Sequence, residues 1–229
     1  MNAAVDTLQS SPPHRDWIAA IGLALLVGLA SYASLRLTRL GGGVASVWIA
    51  NGLLTGVLLL SPRERWWRLW LGAALAQAIA RVAGGDPVPV SFGLVGVNMV
   101  ECAIVALWVR RKVPQVRKAT SLAHLARAAF GSTLVACIVS ASLAVPLILA
   151  RQPMLAPLEV WSVWMMAHVL GMVIVATLVV CARQPSVRLL GESGRQLDYA
   201  VCIGLLLLAC WITFVQSRFP LLFLPYRRC

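Results

Sequence analysis

Apolar stretches long enough to cross roughly 30 Å of hydrocarbon, about 20 residues each, recur along this chain and restrict its fold more than any other feature. They cover residues 17–35, 44–60, 67–83, 88–109, 126–150, 158–181 and 197–215. The short stretches between them hold most of the Arg, Lys, Pro and Gly residues, so the stretches read as helices paired in antiparallel hairpins. An eighth apolar stretch starts at Phe219 and stops at Pro225, too short to span. The expected fold class is therefore all-α: a polytopic transmembrane helix bundle of seven spans plus a truncated eighth. Composition agrees, because 60% hydrophobic and 12% charged residues lie outside the range of soluble domains.

A formal charge of +12 would point to nucleic acid in a soluble protein, but here the placement of the charge decides, and no nucleic-acid partner is expected. Basic residues alternate between loops. With a cytoplasmic N-terminus, 13 fall on the inside (Arg15; Arg63, Arg65 and Arg68; Arg110, Arg111, Lys112, Arg117, Lys118 and Arg127; Arg183, Arg188 and Arg195). Only 5 fall outside: Arg36, Arg39, Arg81, Arg151 and Arg218. The positive-inside rule then favours a multi-pass membrane protein with its N-terminus in the cytoplasm. Residues 110–118 form the densest cluster, a topology signal or a site for anionic lipid or a partner. Trp66, Trp67 and Trp70 beside Arg65 and Arg68 suit an interfacial anchor.

Residues 1–16 read as a cytoplasmic segment, residues 17–225 as one transmembrane domain, and residues 226–229 as a basic tail. Asp6 and Asp16 dilute the positive flank of the first stretch, and no small-residue cleavage site follows, so it is not a signal peptide. The abrupt basic end after a half-built eighth stretch is what a truncation would leave. The six cysteines fall mostly within spans and never as a close pair, which suits packing rather than a disulfide or zinc set. No metal or cofactor is expected.

Glu101 stands inside the fourth apolar stretch of a chain with only 8 acidic residues. A charge near the bilayer centre costs several kcal/mol, so it faces a protein interior, finds a partner or takes up a proton. The second, fourth and sixth helices should run in the same direction, which converts residue offsets into depth at about 1.5 Å per residue. Asn51 then lies roughly 10 Å from the start of its helix, Asn98 and His168 roughly 15 Å, and Glu101 roughly 20 Å. Asn98 with Glu101, Trp48 with Asn51, and Trp161 and Trp164 with His168 each share one helix face. Together Trp48, Asn51, Asn98, Glu101, Trp161, Trp164 and His168 would line a cavity for a small polar or aromatic ligand. Equally, the polar members would bridge helices at about 0.6–2 kcal/mol per bond with no ligand at all. A direct contact between Glu101 and His168 would account for both groups. With no second intramembrane histidine, His168 suits interhelical bonding better than metal or haem ligation. Gly52 and Gly56 form a small-xxx-small pair that lets another helix approach closely, and Gly93 with Gly96 lightens one side of the fourth helix.

These residues resemble a family, the bacterial membrane-associated sensor domain MASE1. The elements that carry the resemblance are Trp48-Ile49-Ala50-Asn51-Gly52, Arg65-Trp66-Trp67 with Leu71-Gly72-Ala73, Asn98-Met99-Val100-Glu101, and Trp164 followed by Ala167-His168-Val169-Leu170-Gly171. In order and spacing they match across about residues 44–180. The chain departs from the family pattern at Ile49, where the family has proline, and at His168, where it has aspartate. The resemblance implies an N-terminal sensory module of about eight helices that feeds a cytoplasmic histidine kinase or diguanylate cyclase, often within a homodimer. No output signature is present: Gly84-Gly85-Asp86-Pro87 lacks the continuation of a cyclase motif.

The leading expectation is a sensory domain that binds a small molecule or protein signal. A small-solute transporter, or the membrane subunit of an importer, has the same size and polar layer, although no convincing internal repeat is visible. Catalysis is not expected, since Ser140 and Ser142 lack a nucleophile motif and look like small packing residues. A ligand-free assembly scaffold is the remaining class.

Overall fold

The computed structural model describes residues 13–39, 44–114, 116 and 122–182. The seventh span expected at 197–215, the stub at 219–225, the basic tail and most of the N-terminal segment lie outside the described residues. Helix α1 is Pro13–Thr38, α2 is Ala50–Leu60, and α3 is Trp66–Ala83 after a single 3-10 turn, Arg63–Arg65. Then come α4, Val88–Lys112, and α5, Leu122–Leu149. Helix α6, Pro157–Gly171, runs through a π turn, Met172–Ala176, into α7, Thr177–Cys181. Local chemistry sets several of these ends. Prolines open α4 and α6, where a missing N–H costs nothing, and Arg110, Arg111 and Lys112 close α4 against its negative pole.

Six expected spans fall on helices, but among the described residues only four helices are long and apolar enough to cross a bilayer: Asp16–Thr38, Val88–Lys112, Arg127–Leu149 and Pro157–Cys181. Two of the six stretches, 44–60 and 67–83, are not among these four. In the 44–60 stretch, helix begins only at Ala50, so α2 has 11 residues and a length of about 16 Å. The preceding residues are non-helical; Ser46 N donates to Thr38 O at 2.9 Å and Trp48 N to Ala167 O at 3.3 Å. Irregular backbone is tolerated at membrane depth only where protein covers it, and Val44, Ala45 and Trp48 are indeed buried. Helix α3 has 18 residues, about 27 Å, but Arg68, Gln77 and Arg81 dilute its apolar character.

Lipid-facing and inward-facing stripes differ in size more than in polarity. Ile18, Ile21, Leu25 and Leu29 of α1 and Leu71, Leu75 and Ile79 of α3 are exposed, whereas Ala20, Val27, Ser31, Ala73, Gln77 and Ala80 are buried between the two helices and their neighbours. Small inner residues let membrane helices pack closely, and large aliphatic ones face the acyl chains. At one end of the bundle Asp16 pairs with Arg65 at 3.2 Å and Arg68 at 3.4 Å, with Trp17 edge-on to Trp67 and Arg68 over both rings. At that end, too, Trp66 Nε1 donates to Leu58 O at 2.9 Å and Arg110 donates to Ser61 O, so both cover the C-terminal carbonyls of α2.

The opposite end is organised by Asp86. A Schellman closure ends α3: Gly85 N donates to Val82 O and Asp86 N to Arg81 O, both at 3.0 Å. Gly85 supplies the φ of 93° which that closure requires and which a side chain resists. The turn sets Asp86 beside Arg81 of the same helix and within reach of Arg39 after α1 and Arg151 after α5.

Candidate functional site

Glu101 is completely buried, and three other helices donate to its carboxylate. Asn51 Nδ2 of α2 reaches Oε1 at 2.9 Å, while Ser140 Oγ of α5 and His168 Nδ1 of α6 both reach Oε2, the latter at 2.8 Å. The amide of Asn51 is oriented by its other partners. Its Oδ1 accepts from Trp48 Nε1 at 3.1 Å and from Gln77 Nε2 at 3.3 Å, which leaves Nδ2 to donate to the carboxylate. When the carboxylate is ionised it can only accept, and His168 then holds a hydrogen on Nδ1.

The imidazole is clamped from both faces. Trp48 stacks on it at 5.8 Å between ring centroids and 6°, and Trp164 at 4.3 Å and 21°. Both indoles are tied back to the same hub, Trp48 through Asn51 and Trp164 through a 3.2 Å bond from Nε1 to Ser140 Oγ. Arg81 covers the side of the sandwich toward Asp86, 4.8 Å from the centroid of Trp48 and 6.0 Å from that of Trp164. Burial of a charge costs several kcal/mol unless the geometry supplies compensating donors, and here α2, α5 and α6 supply them.

Of the seven residues singled out from sequence, Trp48, Asn51, Glu101, Trp164 and His168 meet directly. Asn98 joins at one remove: its Nδ2 donates to Gln77 Oε1 at 2.7 Å, and Gln77 donates to Asn51. Trp161 does not join; it is half-buried, and its Nε1 reaches Ser142 Oγ at 3.2 Å. It stands about one turn nearer the start of α6 than Trp164.

Sequence reasoning missed four contributors. Gln77 is a lone amide in an alanine-rich stretch, a signal of the kind that exposed Asn98. Ser140 is a hub member and not the packing residue expected. Arg81 and Asp86 were read as loop or helix-end charges, yet both are buried. Against the Arg81 guanidinium lies a cavity of about 30 Å³, room for one or two waters, bordered by Trp48, Trp164, His168 and Arg151. Among the described residues no group of His, Cys, Asp and Glu has the spacing of a metal site.

A membrane-type helical bundle closed around a buried carboxylate, with four tied helices and one broken segment, is the class of protein these features define. The chain belongs to the MASE1 family, whose model matches residues 17–226. MASE1 is a family of membrane-associated sensory domains rather than a catalytic family. No curated protein and no solved structure matches the chain.

Proposed function

We propose that this chain is a sensory input module of the bacterial inner membrane, N-terminus inside, which passes a small-molecule or protein signal to a cytoplasmic histidine kinase or diguanylate cyclase. One observation carries the reading: a single buried carboxylate on α4 collects donors from α2, α5 and α6. Any sliding or rotation of one of these helices must break a charge-assisted bond and remake it elsewhere. That gives a small number of discrete helix arrangements, and a signal acts by preferring one of them. The basic residues favour placing the Asp16 end in the cytoplasm and the Asp86 end outside. In this arrangement the ligand candidates Trp48, Trp164 and His168 border a cavity near the outer face, while Asn51, Asn98 and Glu101 lie deeper.

Fusion of the chain to the kinase or cyclase domain of a family member tests the proposal. Glu101→Gln, which keeps the shape but removes the charge, should hold output at one level under conditions that shift the wild-type fusion. Unaltered modulation in that variant would overturn the role assigned to the hub. A second reading, solute transport, draws support from the non-helical residues before α2, since carriers place broken helices at their binding sites. The small size of the cavity favours sensing. Solute uptake into vesicles by the purified chain would reverse that preference.

A further inference from the structure

We infer that the Asp86 end of the bundle is a binding site for a small carboxylate anion, with Arg81 and Arg151 as its principal donors. Among the described residues three guanidiniums converge on one carboxylate. Asp86 Oδ2 lies 3.0 Å from Arg39 Nη2 and 3.2 Å from Arg81 Nη1, and Oδ1 lies 2.9 Å from Arg151 Nη1. Three positive charges against one leave an excess of two, in a place where protein and lipid weaken the screening that water would give. Structural pairing alone would need no such excess.

Two further observations point to a ligand. Arg81 is only 3% exposed, and its Nε has no partner among the described residues, although a buried guanidinium N–H normally finds one. The cavity adjoins this same side chain, with Arg151 and Gln152 on its border. At about 30 Å³ it is on the scale of a small group such as formate or acetate. A planar two-oxygen head is also what these guanidiniums already hold in Asp86, since the guanidinium fork matches carboxylate geometry. The indoles of Trp48 and Trp164 supply apolar walls for a short carbon body.

The anion and Asp86 would compete for the same donors, and the competition has a direct route inward. Arg81 lies over Trp48 and Trp164, which clamp His168 and bond to Asn51 and Ser140, and these three residues hold Glu101. Occupancy would loosen Asp86 and shift the indoles, altering the arrangement of α2 and α6. This inference deepens the sensory reading and takes its physiological meaning from it. Binding itself is measured on the isolated chain, so its failure is distinct from failure of the Glu101 fusion experiment.

The test titrates sodium acetate into the purified full chain in detergent at constant ionic strength, with tryptophan fluorescence and calorimetry as readouts and sodium chloride as the control. A saturable response to acetate that chloride does not reproduce is expected. Arg151→Gln should weaken it roughly tenfold, as for loss of one charge-assisted pair. Asp86→Asn removes the internal competitor and should tighten it by a similar factor. Absence of saturation in wild type, an equal response to chloride, or weakening by Asp86→Asn would each overturn the assignment. Where a variant fails to fold, the wild-type comparison of acetate with chloride decides alone.

Discussion

Glu101→Ala is expected to destabilise the bundle by about 3–5 kcal/mol, because the buried carboxylate is the common acceptor for donors from three helices. The loss does not stop at the pair with His168, because Asn51 Nδ2 and Ser140 Oγ lose the same acceptor. Each buried donor left unsatisfied adds about 1–3 kcal/mol unless water enters the space. Adding His168→Leu should recover part of the deficit, since the orphaned imidazole is then gone; a double-mutant cycle should give a coupling of about 1–3 kcal/mol. Glu159→Ala, an exposed carboxylate in the first turn of α6, serves as the control and should change stability by less than about 0.5 kcal/mol. Unfolding by denaturing detergent in mixed micelles measures wild type, the two single variants, the double variant and the control. A Glu101→Ala loss below about 1 kcal/mol, or a coupling near zero, would mean that the carboxylate is solvated and does not hold the helices.

Much of this site was legible before any coordinates. The cost of a charge in hydrocarbon singles out Glu101, and helical rise places His168 at comparable depth. The same rise counted from residue 44 reaches Asn51 too, yet helix starts only at Ala50, and it is non-helical chain that brings Asn51 to the hub. Long-range partners on α3 and α5 were not legible. Gln77 and Ser140 matter only because α3 and α5 carry them to the depth of Asn51 and Glu101, and single-helix spacing does not report that depth relation. Arg81 illustrates the other limit. Counted as a loop charge, it is simply one of the few basic residues on the outer side; in the fold, the Gly85 turn brings Asp86 back over it and buries both. The broken start of α2 was hidden for a related reason. Residues 44–49 are largely apolar, and only tertiary bonds such as that from Trp48 N to Ala167 O reveal why they stay outside the helix.

Gly171→Ala should be the most damaging single-methyl addition in the bundle. A Cβ at Gly171 would fall on the carbonyl of Trp48, 2.6 Å from its carbon and 3.2 Å from Ile49 N, and backbone cannot swing aside as a side chain does. The small-xxx-small pair on α2 tightens the same contact, since a Cβ on Gly52 would lie 2.8 Å from Val175 Cβ and one on Gly56 2.7 Å from Val179 Cβ. The irregular residues before α2 and the first turn of that helix are therefore seated directly on the end of α6 and the π turn beyond it. Forcing them apart would displace Trp48 from His168 and Asn51 from Glu101 together, so packing and hub fail in one step. A cost of about 3 kcal/mol, the upper part of the overpacking range, is expected from the same micelle titration. Gly96→Ala on α4 is the matched control. A Cβ there meets nothing within 4 Å, and the substitution should be neutral or stabilising by about 0.5–1 kcal/mol through helix propensity. Equal behaviour of the two variants would show that α2 does not rest on α6 as described, and with it would go the route by which the indoles reach Glu101.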